Sequence, residues 1–265
     1  MSMPRKIRCT VEAITDHGGR VYTVDLAPAS PVPAFRPGQF LHLTVDDYDP
    51  AGFWPESRVF SLASSPRERL RLRICYAVKG RYTTKMEATL KVGGAVWIKL
   101  PYGEFVIEEA NDAVLIAGGT GISAFTAFLE ALSPATPHQV TLVYGARTPS
   151  LFLFQEMILD RLARVPDFSV VLFSEAADPA FEPRMAALPR PPRCLTGRIS
   201  LDSVFLPLPS DLRPPSSEAG PLSSALCPPS SVCYLSGPPV MLKGLTADLR
   251  ARGVAPERVR TDAWE

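Results

Sequence analysis

The feature that most constrains the fold is an apolar segment followed by a glycine-rich turn and a helical pattern, in residues 113–125. Residues 113–117 form a short continuous apolar run bounded by a turn, which predicts a strand buried on both faces of a parallel sheet. The turn Gly118-Gly119-Thr120-Gly121 has almost no side chains, so a phosphate can approach its backbone closely. The amides that open the next helix, from Ile122, would face that phosphate with the positive end of the helix dipole. Because the turn departs from G-x-G-x-x-G, it indicates either a nucleotide site or an ordinary strand–turn–helix connection.

Further apolar runs in the second half of the chain alternate with helical patterns. Strands are predicted near residues 113–117, 139–145, 168–173 and 231–235. Helices are predicted near residues 121–132, 151–164 and 239–252. Such alternation is typical of an α/β doubly wound parallel sheet. The Pro- and Ser-rich stretch 206–231 interrupts the pattern and predicts a long surface loop.

The first half of the chain has a different pattern, in which short strands are separated by Gly, Pro and Asp turns. These strands are predicted at residues 7–14, 21–27, 39–45, 57–62, 69–77 and 95–99. Their spacing predicts an antiparallel β-barrel or sandwich. The polar stretch 108–112 is the predicted boundary, and 265 residues suffice for two domains, 1–110 and 111–265, each with its own core.

Composition excludes several classes of protein. A hydrophobic content of 46% and a net charge of +1 argue against disorder and against a nucleic-acid partner. No apolar run approaches the ~20 residues that span a bilayer, and the N-terminus lacks the apolar core of a secretory signal, so we expect a cytoplasmic protein. The cysteines lack the C-x₄-C-x₂-C spacing of a plant-type [2Fe–2S] cluster, and no histidine stands in a metal-ligand pattern. We therefore expect no metal site on this chain.

A group of motifs resembles the ferredoxin–NADP reductase superfamily. Arg58-Val59-Phe60-Ser61 resembles its flavin-binding signature Arg-x-Tyr-Ser. Other segments resemble its motifs in the same order along nearly the whole chain: residues 35–40, 80–83, 90–105, 118–125, 144–148 and 236–241. The resemblance implies an N-terminal FAD-binding barrel followed by an NAD(P)-binding α/β domain.

The same resemblance assigns roles around a bound FAD. Arg58 would hold the flavin pyrophosphate, since a guanidinium offers a planar fork that matches phosphate oxygens. Val59 would contact the flavin as part of the signature. Phe60 replaces the usual tyrosine, so it would pack on the isoalloxazine ring but lose a phenolic hydrogen bond of roughly 1 kcal/mol. Ser61 would place its hydroxyl near flavin N5, which accepts hydride, and is a predicted catalytic residue.

The segment from Gly80 to Thr83 resembles the pyrophosphate loop of the superfamily. We expect Thr83 and Thr84 to open a short helix, and the segment from Thr84 to Glu87 has the spacing of a capping box. The helix N-terminus would also suit phosphate, with Gly80 allowing its close approach. Capping and phosphate binding are compatible.

A charged stripe is predicted on the strand at 69–77. Arg69, Arg71 and Arg73 alternate with aliphatic residues, so the arginines would share one face of the strand. That pattern predicts a solvated face, and the alternative is a docking surface for an acidic electron-transfer protein.

The resemblance also assigns residues around the nicotinamide cofactor. The contacts would come from the glycine-rich turn and from the motif at 236–241: Gly118, Gly119, Thr120, Gly121, Gly237 and Pro238. Ser236 replaces the usual cysteine beside the nicotinamide, which would slow hydride transfer without abolishing it. Trp264 resembles the C-terminal aromatic residue that covers the flavin ring, and Ala124 stands where proline is usual.

Glu175 bears on the choice between NADH and NADPH. NADP-preferring relatives resemble Ser-Arg here, whereas this chain has Ser174 followed by Glu175. A carboxylate can accept a hydrogen bond from a free ribose 2′-hydroxyl and would repel a 2′-phosphate. We therefore predict a preference for NADH. The alternative is that Glu175 faces water and that Arg147 or Arg184 supplies a phosphate site.

The sequence thus predicts an FAD-containing reductase that takes hydride from NADH or NADPH and passes electrons to a separate acceptor, an iron–sulfur or haem protein such as a ferredoxin or an oxygenase component. One alternative is an NAD(P)H:flavin reductase that uses flavin as a diffusible substrate. Another is a non-catalytic electron-transfer or regulatory subunit that keeps the fold.

Overall fold

The computed structural model describes residues 3–109, 111–205 and 231–262, and its first half is an antiparallel barrel. The elements in chain order are β1 (Arg5–Asp16), β2 (Val21–Pro28), β3 (Phe40–Thr44), β4 (Arg58–Ser61), β5 (Leu72–Ala77), α1 (Arg81–Thr89) and β6 (Ala95–Tyr102). The strands lie in the order β4-β3-β6-β1-β2-β5. The barrel closes beyond β4, where the Ala63 N–H donates to the Arg73 carbonyl at 2.9 Å and the Arg73 N–H donates to Ser64 Oγ at 3.2 Å. The predicted barrel is confirmed.

The second half is a parallel sheet with helices. Its elements are β7 (Ala113–Gly118), α2 (Ser123–Ala131), β8 (Val140–Ala146), α3 (Gln155–Arg164), β9 (Phe168–Ser174), α4 (Phe181–Ala186), β10 (Arg193–Thr196), α5 (Leu201–Phe205), β11 (Val232–Ser236), α6 (Pro239–Ala251) and β12 (Val259–Asp262). The strand order β10-β9-β8-β7-β11-β12 is parallel throughout the described ladders. Every residue of β7 is buried, as its continuous apolar run predicts. The doubly wound fold is confirmed.

The charged stripe differs from its prediction, because β5 begins at Leu72 and the residues before it form turns. Arg69 donates from Nε to the Val32 carbonyl at 2.6 Å. Arg73 makes a bidentate hydrogen bond to Asp25, at 2.6 and 2.9 Å, and Arg71 lies 3.6 Å from the same carboxylate. The arginines are therefore engaged within the molecule and do not form one free strand face.

Helix α1 also begins earlier than predicted. It starts at Arg81 with Gly80 as its N-cap, so Thr83 and Thr84 lie inside the helix. The Glu87 carboxylate, expected in a capping box, accepts hydrogen bonds from Arg20 and Tyr22 of the barrel instead.

The motif segments 35–40 and 90–105 pack closely against each other at the end of the barrel. Gly38 has a φ of +95°, and a Cβ atom there would lie 2.5 Å from the Phe105 carbonyl oxygen. Gly103 likewise lies against the ring of Phe40, 2.7 Å from where its Cβ would stand. Gln39 is buried and donates from its side-chain amide to the Gly103 carbonyl at 3.1 Å. Close packing accounts for these glycines without any ligand.

An apolar interface joins the barrel to the parallel sheet. Val21 and Cys75 belong to the same buried cluster as Tyr144 and Phe152 of the second half. Phe105 packs edge-on against Tyr234, with ring centroids 5.8 Å apart. The domain division after residue 110 stays a prediction, and all of the predicted loop 206–231 except its last residue lies outside the described residues.

Candidate functional site

One end of the candidate site is a pair of arginines at the N-terminus of α1. The half-exposed guanidinium of Arg58 lies over the ring of Tyr82, 4.8 Å from its centroid. Glu56 forms ion pairs with Arg58 at 3.1 Å and with Arg81 at 3.2 Å. The Tyr82 hydroxyl donates to the Glu56 carbonyl at 3.0 Å, which ties this segment to the helix. The two predicted pyrophosphate elements, Arg58 and the loop at Gly80, are thus brought together.

The N-terminus of α1 is open beside these arginines. The Thr83 hydroxyl accepts hydrogen bonds from the backbone N–H groups of Lys79 (2.9 Å) and Gly80 (3.1 Å), so it shapes the loop. Thr84 is exposed on the first turn. No atom lies within 4 Å of where a Cβ of Gly80 would stand, so a ligand can approach the backbone there. The first amides of a helix lack intrahelical acceptors and favour an anion.

Strand β4 places its residues on two faces. Phe60 points into the barrel core, edge-on to Tyr76 at 6.2 Å, and keeps only 9% of its surface exposed. Val59 and Ser61 alternate with it and lie on the outer face, where Val59 is half-buried and Ser61 is buried. Phe60 therefore serves the core first, and little of its ring is available to a flavin.

An aromatic cluster that the sequence reading missed lies beside β4. Phe40 pairs in register with Ser61, and His42 with Val59. Tyr102 packs against both rings, 5.8 Å from Phe40 and 4.9 Å from His42. The pKa of His42 lies below its ordinary value because of burial and, less strongly, the charge of Lys99. The only sequence signal for this cluster was the alternation of β3, in which Leu41 and Leu43 enter the core.

The other end of the site lies where the strand order reverses, between β7 and β11. A 3₁₀ turn, Gly119–Ile122, precedes α2, which begins at Ser123. A Cβ at Gly121 would lie 2.3 Å from the Ser236 carbonyl oxygen, and one at Gly118 would lie 2.5 Å from Met241 Sδ. Gly121 is required because the backbone of the loop after β11 lies against it, whereas the contact at Gly118 is with the flexible end of a methionine side chain on α6. Gly119 differs, since its φ is +54° and the space around it is open to a ligand.

The loops after β7 and β11 form a crevice, and Ser236 on its β11 side is not open to a nicotinamide as the sequence predicted. Its side chain is 2% exposed, and its hydroxyl donates to the buried carboxylate of Asp262 at 3.0 Å. Gly237 and Pro238 pack against Gly118, while Thr120 is half-exposed at the mouth of the crevice. The Ser236 hydroxyl is therefore held by β12. No motif marked Asp262.

Strand β5 links the two ends, because it contacts both β4 and the turn Gly119–Ile122. The arginine end and the glycine turn therefore flank one strand. Trp264 lies outside the described residues.

Glu175 is exposed after β9 and lies 3.4 Å from Arg198, a residue the sequence reading missed. The Gly197 N–H donates to the Ser174 carbonyl at 2.7 Å, which brings Arg198 to this edge of the sheet. Arg147 is exposed and reaches the barrel turn at Gly19, where its Nη2 lies 3.5 Å from the position of an added Cβ. Arg184 lies over the ring of Phe181 on α4, 5.7 Å from its centroid.

Two absences hold for the part of the chain that the structure describes. No group of three or more His, Cys, Asp or Glu side chains there is placed to hold a metal ion. None of the helices in that part has the length and apolar character needed to cross a membrane.

The fold and this crevice define a class: two-domain proteins that pair an antiparallel barrel with a dinucleotide-binding sheet. A family model for the oxidoreductase NAD-binding domain matches residues 115–183. The NAD(P)H-flavin reductase of Vibrio harveyi is 32% identical over 178 residues, which cover 62% of this chain and 72% of that protein. The chain belongs to the ferredoxin–NADP reductase superfamily.

Other relatives match over part of their length or in fold. The phenol 2-monooxygenase reductase component DmpP of Pseudomonas sp. (strain CF600) is 31% identical over 169 residues, 62% of this chain and 46% of that protein. The match thus spans about half of that relative. The solved structure of a ferredoxin NADP⁺ reductase from Neisseria gonorrhoeae with bound FAD and NADP has a TM-score of 0.69 and 19% identity, covering 99% of each chain. That likeness shows the fold.

Proposed function

We propose that this protein is a flavin-dependent NAD(P)H reductase, which takes hydride from NADH or NADPH and delivers electrons to a separate acceptor. The observation that carries the proposal is that β5 is flanked by the arginine end, at Arg58 and α1, and by the open glycine turn at Gly119. The family supports it, since DmpP is a reductase component and the Vibrio harveyi relative is an NAD(P)H-flavin reductase.

The residues present fit an FAD. Arg58 and Arg81 would hold the pyrophosphate together with the first amides of α1, and the open space at Gly80 admits it. Val59 and Ser61 would lie along the flavin on the outer face of β4. FAD, when bound, would supply the hydride-accepting and electron-releasing chemistry. The chain's part is to bind and orient it.

The nicotinamide cofactor would lie at the carboxyl edge of the parallel sheet, where ligands of open α/β sheets bind. Gly119 leaves its backbone open, Thr120 stands at the mouth, and Gly237 with Pro238 forms the opposite wall. Ser236 would position this wall through Asp262, since its hydroxyl is committed to that carboxylate.

The test starts from purified protein. We expect a yellow preparation, or one that becomes yellow with added FAD, whose flavin absorption band bleaches when NADH is added without oxygen. A protein that binds no FAD and no FMN, and that does not oxidise NADH or NADPH with either present, contradicts the proposal.

A flavin reductase using diffusible flavin is the second candidate, and Phe60 favours it. The ring of Phe60 packs in the barrel core, so little of it can contact a bound flavin. Because phenylalanine lacks a hydroxyl, it also cannot donate a hydrogen bond to the flavin. A colourless preparation active only with added flavin supports this candidate. A non-catalytic subunit would bind cofactors without turnover, and its support is Ser236 together with the buried Ala124.

For the acceptor we propose a separate iron–sulfur or haem protein, and for the site of action the cytoplasm. Relatives named as reductase or electron-transfer components support the separate acceptor. Cys9 and Cys75 are buried thiols, which suits a reducing compartment. Affinity capture on the immobilised protein, followed by NADH-dependent reduction of the captured protein, tests the acceptor.

A further inference from the structure

A charged cleft lies between the barrel and helices α2 and α3. Its volume of about 380 Å³ falls within the range of small-molecule sites, about 300–1,000 Å³. Helix α2 begins beside the glycine turn at Ser123, and at about 1.5 Å per residue it places Glu130 roughly 10 Å further along its axis. The charged cleft is therefore outside the crevice between the loops after β7 and β11. Its charged side chains are Asp25, Glu68, Arg71, Arg73, Glu130 and Arg161.

One ion pair of the charged cleft is complete. Arg73 binds both carboxylate oxygens of Asp25, at 2.6 and 2.9 Å, so the charges of these two side chains compensate each other. Arg71 is exposed and lies 3.6 Å from the same carboxylate, which is longer than an ordinary hydrogen bond. Arg71 therefore keeps most of its N–H groups for another acceptor.

Arg161 of α3 is a second cation with too few acceptors. Its Nε is buried and has no hydrogen-bond partner in the part of the chain that the structure describes. Its Nη1 lies 3.5 Å from a carboxylate oxygen of Asp160, which is also longer than an ordinary hydrogen bond. A charged donor that is buried without an acceptor is costly, so an anion that entered the cleft would stabilise this guanidinium.

Two carboxylates of the charged cleft also lack a cationic partner. Among the described residues, the ion pairs of the cleft arginines go to Asp25 and Asp160, and none involves Glu68 or Glu130. The half-buried carboxylate of Glu130 accepts a hydrogen bond from the Ser65 backbone, and the charge of Glu68 lies close enough to act on it. The cleft thus offers acceptors for a cation as well as donors for an anion.

The balance of these charges selects the kind of ligand. A simple anion would meet the two glutamates, and a simple cation would meet the two arginines, whereas a molecule with one charge of each sign satisfies both pairs. The planar fork of a guanidinium matches a carboxylate, and a glutamate accepts the N–H groups of a primary ammonium. Quaternary ammonium groups are bound by aromatic cages, and none of the described residues that line the cleft is aromatic.

We propose that the charged cleft binds a free amino acid. The carboxylate of the ligand accepts hydrogen bonds from Arg161 and Arg71, and its ammonium group donates to Glu130 and Glu68. Its side chain contacts Met157, whose flexible thioether adapts to different shapes. Because the barrel and the helices both contribute, the amino acid bridges the two halves of the molecule. This site does not depend on the proposed reductase function.

Thermal unfolding of the full chain in the presence of each standard amino acid tests the proposal. A ligand that binds only the folded state raises the Tm, so we expect at least one amino acid to do so, and titration calorimetry then gives its Kd. The N-acetyl derivative and the amide of that amino acid each lack one of the two charges. Each should bind at least about tenfold more weakly, since hydrogen bonds to charged groups are the strong ones.

Two variants with matched controls locate the site. Glu130→Gln removes a negative charge with little change of shape, and Arg161→Gln removes the guanidinium that lacks acceptors. Each should raise the Kd of the amino acid by about tenfold or more. Glu156→Gln on α3 and Arg250→Gln on α6 are the controls, because both side chains are exposed and neither lines the cleft. Both controls should keep the Kd of the unmodified protein.

Every outcome decides for or against the amino-acid site. Binding that is lost in both cleft variants and kept in both controls supports it. If no amino acid raises the Tm or binds in calorimetry, the cleft holds only water and the proposal is overturned. Equal binding of a derivative that lacks one charge, or an unchanged Kd in Glu130→Gln, also overturns it. Glu130→Gln decides by itself if Arg161→Gln does not fold.

Discussion

At the scale of single residues, the site depends on charges that already have partners. Arg58 is paired with Glu56, and Glu175 with Arg198, through exposed contacts at 3.1 and 3.4 Å. Exposed ion pairs are worth about 0–1 kcal/mol, so an anionic ligand can displace the carboxylate from Arg58 at little cost. The ion pair therefore does not argue against the predicted role of Arg58.

Replacing Arg58 tests that role. Charge-assisted hydrogen bonds contribute about 1.5–3 kcal/mol each, so Arg58→Ala should raise the Kd for FAD by roughly 10- to 150-fold. Arg164→Ala, which removes an exposed arginine on α3 paired with Asp160, is the control. Equal flavin content in the variant and the unmodified protein after gel filtration would refute the assignment.

Glu175 governs the predicted preference for NADH. At an effective dielectric near 20, two unit charges about 4 Å apart, such as a carboxylate and a 2′-phosphate, repel each other by roughly 4 kcal/mol. Exposure to solvent reduces this repulsion. A difference of about 1.4 kcal/mol is already enough for tenfold discrimination between NADH and NADPH. Glu175→Arg should narrow or reverse the preference, and Glu175→Gln should narrow it by releasing Arg198 to a 2′-phosphate. Steady-state kcat/KM for both cofactors measures this, with Arg184→Ala testing the alternative source of a phosphate site. A clear NADPH preference in the unmodified protein would contradict the predicted role of Glu175.

Trp264 lies outside the described residues, and its role stays a prediction. If it covers the flavin ring, deletion of Trp264 and Glu265 should tighten nicotinamide binding and perturb the flavin absorption band. Unaltered cofactor affinity with an unaltered spectrum would show that the tail is a bystander.

At the scale of elements, the sequence predicted those with a strong internal pattern. Buried strands such as β7 are continuous apolar runs, and α3 and α6 show helical spacing. The short elements β10, α4, α5 and β12, of four to six residues, went unpredicted because they are too short to show a periodic pattern. Unlike the equally short β4 and β11, they lie in no recognised motif and form no continuous apolar run.

The site was predictable where a motif lies within one segment, as at Arg58 and the glycine turn. The contacts of Glu175 with Arg198 and of Ser236 with Asp262 went unpredicted because their partners are 23 and 26 residues apart in the chain. The first pair lies just after the neighbouring strands β9 and β10, and the second lies on the neighbouring strands β11 and β12. No local pattern encodes such pairs.

Arg190 gives an element-scale prediction, because it ties the end of α3 to β9. Its guanidinium donates to four carbonyls, those of Leu162, Val165, Pro166 and Phe168, at 2.5 to 2.9 Å. Hydrogen bonds from a charged group are worth about 1.5–3 kcal/mol each and are not additive, so Arg190→Ala should lower the free energy of unfolding by roughly 2–4 kcal/mol. Urea denaturation measures this, and Arg190→Lys should recover part of it. A loss no larger than that of Arg164→Ala would contradict this account.

At the scale of the whole molecule, the two halves meet across a charged cleft as well as an apolar interface. The cleft has a volume of about 380 Å³. Its charged side chains come from the barrel and from α2 and α3: Asp25, Glu68, Arg71, Arg73, Glu130 and Arg161. Burial alone would raise the pKa of Asp25, but hydrogen bonds and charge from Arg73, with the charge of Arg71, hold it below its ordinary value. Burial raises the pKa of Glu130, and the charge of Arg73 offsets this only in part.

The two carboxylates therefore make opposite contributions to stability as pH changes. A depressed pKa means that Asp25 stabilises the fold above its unfolded pKa, and this contribution is lost as pH falls through the folded value. A raised pKa means that the folded protein binds the Glu130 proton more tightly, so stability falls as pH rises from the unfolded pKa through the folded one.

Asp25→Asn should thus destabilise the protein at pH 7, by an amount that shrinks in acid. Glu130→Gln should stabilise it modestly at pH 7 and leave it unchanged in acid, where Glu130 is already protonated. Urea denaturation of both variants from pH 4 to 8 measures their free energies of unfolding relative to the unmodified protein. If both variants change the free energy of unfolding in the same direction at pH 7, the charges of the cleft do not determine these stability differences.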